Sequence, residues 1–101
     1  MSTGSDVMTF EKVDEMAAFY KVIGDKTRVK ILYVLVDGEL CVSEIAEKLE
    51  MTHSAISHQL SKLKEYRLLK SRREGKEMYY SLDDDHVLDI FNITLQHLKH
   101  H

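Results

Sequence analysis

The chain has no proline, no tryptophan, only four glycines and a single cysteine in 101 residues. So few turn-forming residues argue against a β-sandwich, with its many tight turns, and favour helices. One cysteine excludes an internal disulfide and fits a reducing cytoplasm, where Cys41 is expected to pack rather than react. No run of eighteen apolar residues occurs, so no membrane span is expected. Residues 1–9 lack a basic start and an apolar core, so they are not expected to be a signal peptide. They read as a flexible N-terminal segment ahead of one domain over 10–101. No glycine-rich phosphate loop occurs, and no Ser/His/Asp or Cys/His arrangement has motif context, so an enzyme is not expected.

What the chain does have is charge sorted by region. The net charge is −3. From Thr52 to Tyr80, seven basic residues (Lys62, Lys64, Arg67, Lys70, Arg72, Arg73, Lys76) face three acidic ones, so that stretch carries +4 and the remainder −7. A basic module beside an acidic one points to two kinds of partner.

Periodicity predicts helices over Phe10–Ile23, Thr27–Val36, Ser43–Leu49 and Thr52–Tyr66, and a last helix from an Asp83 cap to the C-terminus. Val13, Met16, Ala17, Tyr20 and Ile23 line the first. Val87, Ile90, Phe91, Leu95 and Leu98 line the last, with Leu82 and Val87 placed as a hydrophobic staple around its cap. Gly24 reads as a C-cap, and Asp25 and Thr52 as N-caps. Leu68–Arg73 and Lys76–Leu82 flank Glu74-Gly75 as a β-hairpin. Two short helices joined by a tight turn and followed by a basic hairpin predict a winged helix-turn-helix, mainly α, whose second helix enters a major groove. Candidate DNA contacts on that helix are His53, Ser54, Ser57, His58, Gln59 and Lys62, since hydroxyls, amides and imidazoles reach base edges and phosphates. In the hairpin the candidates are Arg72, Arg73 and Lys76. Glu50 sits in the turn where such motifs often carry glycine.

The last sixteen residues hold four of the six histidines, led by Asp84 and Asp85. In a helix each residue advances about 100° and 1.5 Å, so His86 and His97 share a side but lie roughly 16 Å apart along the axis. Ligands of one ion lie only about 2 Å from it, so one helix cannot close this set around one metal. Two antiparallel copies of the helix can. Asp84 and His86 of one chain would then meet His97 and His100 of the other, making two equivalent sites of three nitrogens and one carboxylate oxygen. That donor set suits tetrahedral zinc and also accepts cobalt, or nickel with added ligands. Asp85 and His101 stand beside it as bystanders or substitutes.

Gly24-Asp25-Lys26-Thr27-Arg28, Ile56-Ser57-His58-Gln59-Leu60 and Gly75-Lys76-Glu77-Met78-Tyr79-Tyr80-Ser81-Leu82 together resemble the ArsR/SmtB family of metal-sensing repressors over almost the whole chain. Asp84-x-His86 with His97-x-x-His100 is similar to its subgroup with zinc or cobalt sites on the last helix. The resemblance implies a cytoplasmic homodimer, paired through its first and last helices, that binds a palindromic double-stranded operator when metal-free. It implies release when Zn(II), or Co(II), occupies the four ligand positions as a regulatory ligand. No membrane and no small organic substrate enter this reading. Some relatives carry a Cys-x-Cys box near the first helix of the motif. Here Leu40-Cys41-Val42-Ser43 lacks the second thiolate, so a thiolate-rich soft-metal site is not expected. The rivals are a winged-helix repressor sensing another metal or a non-metal signal, and a metal-buffering protein that does not read DNA.

Overall fold

The computed structural model describes residues 8–100. The order is α1 (Phe10–Ile23), α2 (Lys26–Val34), β1 (Leu40–Cys41), α3 (Val42–Leu49), α4 (His53–Glu65), β2 (Leu69–Glu74), β3 (Glu77–Leu82) and α5 (Asp85–Lys99). α2 and α4 start where their caps were read. Asp25 Oδ2 accepts from Arg28 N at 3.1 Å, and Thr52 Oγ1 from Ala55 N at 3.1 Å. Thr9, assigned by sequence to the flexible segment, is instead the N-cap of α1, accepting from Lys12 N at 3.1 Å. Residues 1–7 and His101 lie outside the described residues.

The core is built from Ile31, Leu32, Leu35, Ile45, Ile56, Leu60 and Leu63, all essentially without exposure, closed by Val22, Val42, Leu68, Leu69 and Val87. These residues come from α1 to α5 and the base of the hairpin, so the hydrophobic effect locks α3 and α4 onto α2. Gly24 is required by close approach: a Cβ there would meet the Tyr20 carbonyl at 2.9 Å. A side chain at that position would crowd the last turn of α1.

Both helices of the DNA-reading pair end in the same way. Glu50 (φ 54°) follows α3, with Met51 N donating to Ala46 O. Arg67 (φ 60°) follows α4, with Leu68 N donating to Leu63 O. This is the left-handed helix stop that glycine usually supplies. Here two long side chains occupy it.

Two further expectations are corrected. The sheet has three strands, not two, in the order β1-β3-β2, all antiparallel. Leu40 pairs with Tyr80 and Cys41 with Tyr79, so the strand before α3 anchors the hairpin to the helix pair. A two-residue strand has no period to read. The cap of α5 is Asp84 rather than Asp83: Asp84 Oδ1 accepts from His86 N at 2.9 Å. The shift moves Leu82 and Val87 out of staple register, although Val87 is buried and Leu82 packs on the core.

Candidate nucleic-acid interface and metal half-sites

On α4 the buried residues are Ile56, Leu60 and Leu63. Ser54, Ser57, His58 and Ser61 are exposed on its other side. His53 is also exposed, and its Nε2 lies 3.1 Å from Ser43 Oγ, linking the starts of the two short helices. Gln59 and Lys62, expected among the exposed set, are half-buried. The carbonyl of Gln59 accepts from Arg28 Nε at 2.8 Å, so its oxygen is engaged inside the protein. At the far end of α4, Lys64 Nζ donates to Ser71 Oγ at 2.6 Å and fixes the helix to β2.

In the wing the three basic candidates differ. Arg72 donates through Nη2 and Nε to the two carboxylate oxygens of Glu39, at 2.7 and 2.8 Å, and through Nη1 to Glu74 at 3.2 Å. Its guanidinium also stands 4.9 Å from the Tyr79 ring centroid. Two carboxylates already pair with this cation, and they hold its proton still more firmly than usual. Arg73 and Lys76, near the Gly75 tip (φ 62°), are exposed. Cys41 is buried, and burial pushes its thiol above the ordinary value, as an inert packing residue requires. Its backbone N–H donates to Glu44 Oε1 at 2.9 Å, closing the start of α3.

The metal candidates divide between the ends of α5. At its N-terminus, Asp84 Oδ2 and His86 Nδ1 stand 3.1 Å apart on exposed side chains. This separation is close to the ~3.3 Å between two ligands of a tetrahedral ion with ~2.0 Å bonds. The hydrogen bond to His86 holds the Asp84 carboxyl below its ordinary value and keeps it ionised. At the other end, His97 and His100 are exposed and one turn apart, with His100 N donating to His97 O at 3.2 Å. Among the described residues, no three His, Cys, Asp or Glu side chains of one chain gather at a point that would hold an ion. Within one chain the four candidates thus stand as two separate pairs, one at each end of α5.

Between these ends, α5 is open. Ile93, Leu95 and Leu98 are more than half exposed, as are Tyr20 on α1 and Tyr33 on α2. Tyr20, Ile23, Val29, Tyr33, Ile90, Phe91, Leu95 and Leu98 line an apolar groove of about 570 Å³. The stripe read on α1 is real as a pattern, but Val13, Met16 and Tyr20 are 44%, 40% and 55% exposed, so this chain does not cover it. Among the described residues no helix is long and apolar enough to cross a membrane.

A helix pair with an apolar interior and a hydroxyl-rich outer face, followed by a hairpin wing that pairs back onto the strand before it, defines a winged helix-turn-helix DNA-binding protein. The model of the bacterial regulatory protein, arsR family, matches residues 25–71. The chain is 37% identical over 94 residues to a transcriptional repressor SmtB homolog from Synechocystis, covering 93% of this chain and 71% of that one. It is 44% identical over 86 residues to a cadmium resistance transcriptional regulatory protein CadC homolog from Staphylococcus aureus, covering 84% and 71%. A homodimeric winged helix-turn-helix DNA-binding domain from Mycobacterium bovis, described as a possible ArsR-family regulator, superposes with a TM-score of 0.84 at 30% identity, over 100% of this chain and 93% of that one. The chain belongs to the ArsR/SmtB family of transcriptional repressors. Its relatives are regulators rather than enzymes.

Sequence reasoning missed Glu39, Tyr79 and the role of Arg28. Glu39 lies 33 residues from Arg72 and Gln59 lies 31 from Arg28, beyond any local pattern.

Proposed function

We propose that this metal-responsive repressor works as a cytoplasmic homodimer that holds a palindromic operator when metal-free and releases it when Zn(II) binds between the last helices of its two chains. The observation that carries the reading is the division of α5. A carboxylate–imidazole pair sits at its start and a histidine pair at its end, with an exposed apolar stripe between them. An antiparallel partner helix on that stripe brings Asp84 and His86 of one chain to His97 and His100 of the other. Burying one leucine fully is worth about 1.5–3 kcal/mol, so covering Leu95, Leu98 and Tyr20 twice over supports a stable dimer.

With the ion bound, Asp84, His86, His97 and His100 leave it no open position for water, so its effect is structural rather than hydrolytic. Ser54, Ser57 and His58 would face base edges, while Arg73 and Lys76 would face phosphates. His53 is held by Ser43 beside them, Lys62 would add a cation toward the phosphates, and Gln59 and Arg72 contribute by placing these groups. The dimer favours one spacing of its two α4 helices without metal and another with it. A coupling of about 1–3 kcal/mol between metal and DNA makes a usable switch.

Fluorescence anisotropy with the DNA upstream of the protein's own gene, with and without zinc, tests this. The metal-free protein should bind and zinc should release it. His97→Asn should bind the DNA as well as the unaltered protein and ignore zinc. Release of that variant by zinc would show the ligand assignment to be wrong. The same donor set accepts Co(II), and Ni(II) with further ligands, so the titration is repeated with both.

A further inference from the structure

Arg28 is the third residue of α2, yet it reaches two other helices. Its Nη1 donates to the carbonyl of Val22, in the last turn of α1, at 3.0 Å. Its Nε donates to Gln59 Oε1, on α4, at 2.8 Å. Both contacts are partly buried. A guanidinium is planar and its donors are fixed relative to one another, so the two bonds set where α4 lies relative to the end of α1. Arginine donates only, so Gln59 must turn its oxygen inward and its NH2 outward.

The other ties of α4 are of different kinds. Ile56, Leu60 and Leu63 hold it by apolar packing, which is non-directional. His53 to Ser43 and Lys64 to Ser71 are exposed contacts to its nearest neighbours. Among the described residues, the partly buried, directional link from α4 runs through Arg28 to α1, whose apolar stripe is uncovered in the single chain. Gln59 also lies about 200° around the helix from Ser57, on the flank toward α2 rather than on the outward face.

We infer that Arg28 and Gln59 are positioning residues. Together they set the pitch of α4 against the dimer-forming helix, and so the spacing of the two DNA-reading helices, without touching bases themselves. The inference rests on the DNA-binding, dimeric reading above.

Binding of Gln59→Met and Arg28→Met is measured on two duplexes, the full palindromic upstream site and a single half-site, across a range of salt concentrations. A lost tie should weaken binding to the full site by on the order of tenfold while half-site binding stays within about twofold, because one helix alone needs no spacing. The salt dependence of Gln59→Met, which changes no charge, should match that of the unaltered protein. The double variant should be no weaker than the weaker single one, since both break one link. An equal loss on both duplexes overturns the inference and makes the pair direct DNA contacts. Unchanged binding to the full site overturns it too. If Arg28→Met does not fold by circular dichroism, Gln59→Met, which leaves the Val22 contact in place, carries the test. Failure of the unaltered protein to bind either duplex would instead remove the DNA reading beneath it.

Discussion

Arg72 and Glu39 form a two-pronged ion pair, 2.7 and 2.8 Å between guanidinium nitrogens and carboxylate oxygens, that joins β2 of the wing to the turn before β1. The most prominent arginine of a basic DNA-binding hairpin is thereby turned to the protein's own use. It works with the Leu40–Tyr80 and Cys41–Tyr79 strand pairing to hold the wing against the helix pair.

Arg72→Met should therefore leave the salt dependence of operator binding nearly unchanged. Arg73→Met and Lys76→Met should each lower the slope of log K against log salt by about one, the signature of one lost phosphate contact. A drop of one unit for Arg72→Met would mean that it leaves Glu39 for DNA.

The same pair sets a pH dependence. Hydrogen bonding to Arg72 lowers the Glu39 carboxyl from its ordinary 4.5. A lowered carboxyl binds fewer protons folded than unfolded, so its stabilising contribution is complete above that value and is lost as pH falls below it. The difference in unfolding free energy between the protein and Glu39→Gln should be constant near neutrality and shrink on acidification below 4.5. Both groups are exposed, so the difference should be small and should weaken in salt. A difference that grows on acidification would reverse the assignment.

Asp84 has two jobs that can be separated. Its Oδ1 caps α5, and its Oδ2 faces His86. Asparagine caps as well as aspartate but is neutral. Asp84→Asn should keep the thermal stability of the metal-free protein and weaken zinc binding, whereas Asp84→Ala should lower both. Paired melting and zinc titrations distinguish them; equal melting losses in the two variants would mean that the cap contributes nothing specific.

Glu50 holds a left-handed conformation (φ 54°) that disfavours any side chain. Glu50→Gly should stabilise the fold by about 1 kcal/mol in denaturant melts at fixed protein concentration, the cost of αL for an L-residue. Destabilisation would mean that the Glu50 side chain makes a contact worth more than that strain.

Much of this architecture is readable locally. Asp25, Thr52 and Gly75 mark their boundaries through bonds that close within a few residues or through a backbone only glycine adopts easily, so composition and spacing reveal them. The α5 cap slipped by one residue because Asp83 and Asp84 are chemically equal at that position. Their difference is settled by where β3 ends, with Asp83 N bonded to Leu68 O. β1 escaped notice because two residues pair only through a strand about forty positions away.

The amino-acid order alone determined the period of each helix, the charge division between the DNA module and the last helix, and the arithmetic that splits Asp84 and His86 from His97 and His100. Those depend on the rise and turn of a helix, which are the same everywhere. Which polar groups are spent inside the protein was decided only by the tertiary structure. Arg72 goes to Glu39, Gln59 goes to Arg28, and the stripe on α1 stays open, because each outcome depends on what distant segments bring within 3 Å or fail to cover.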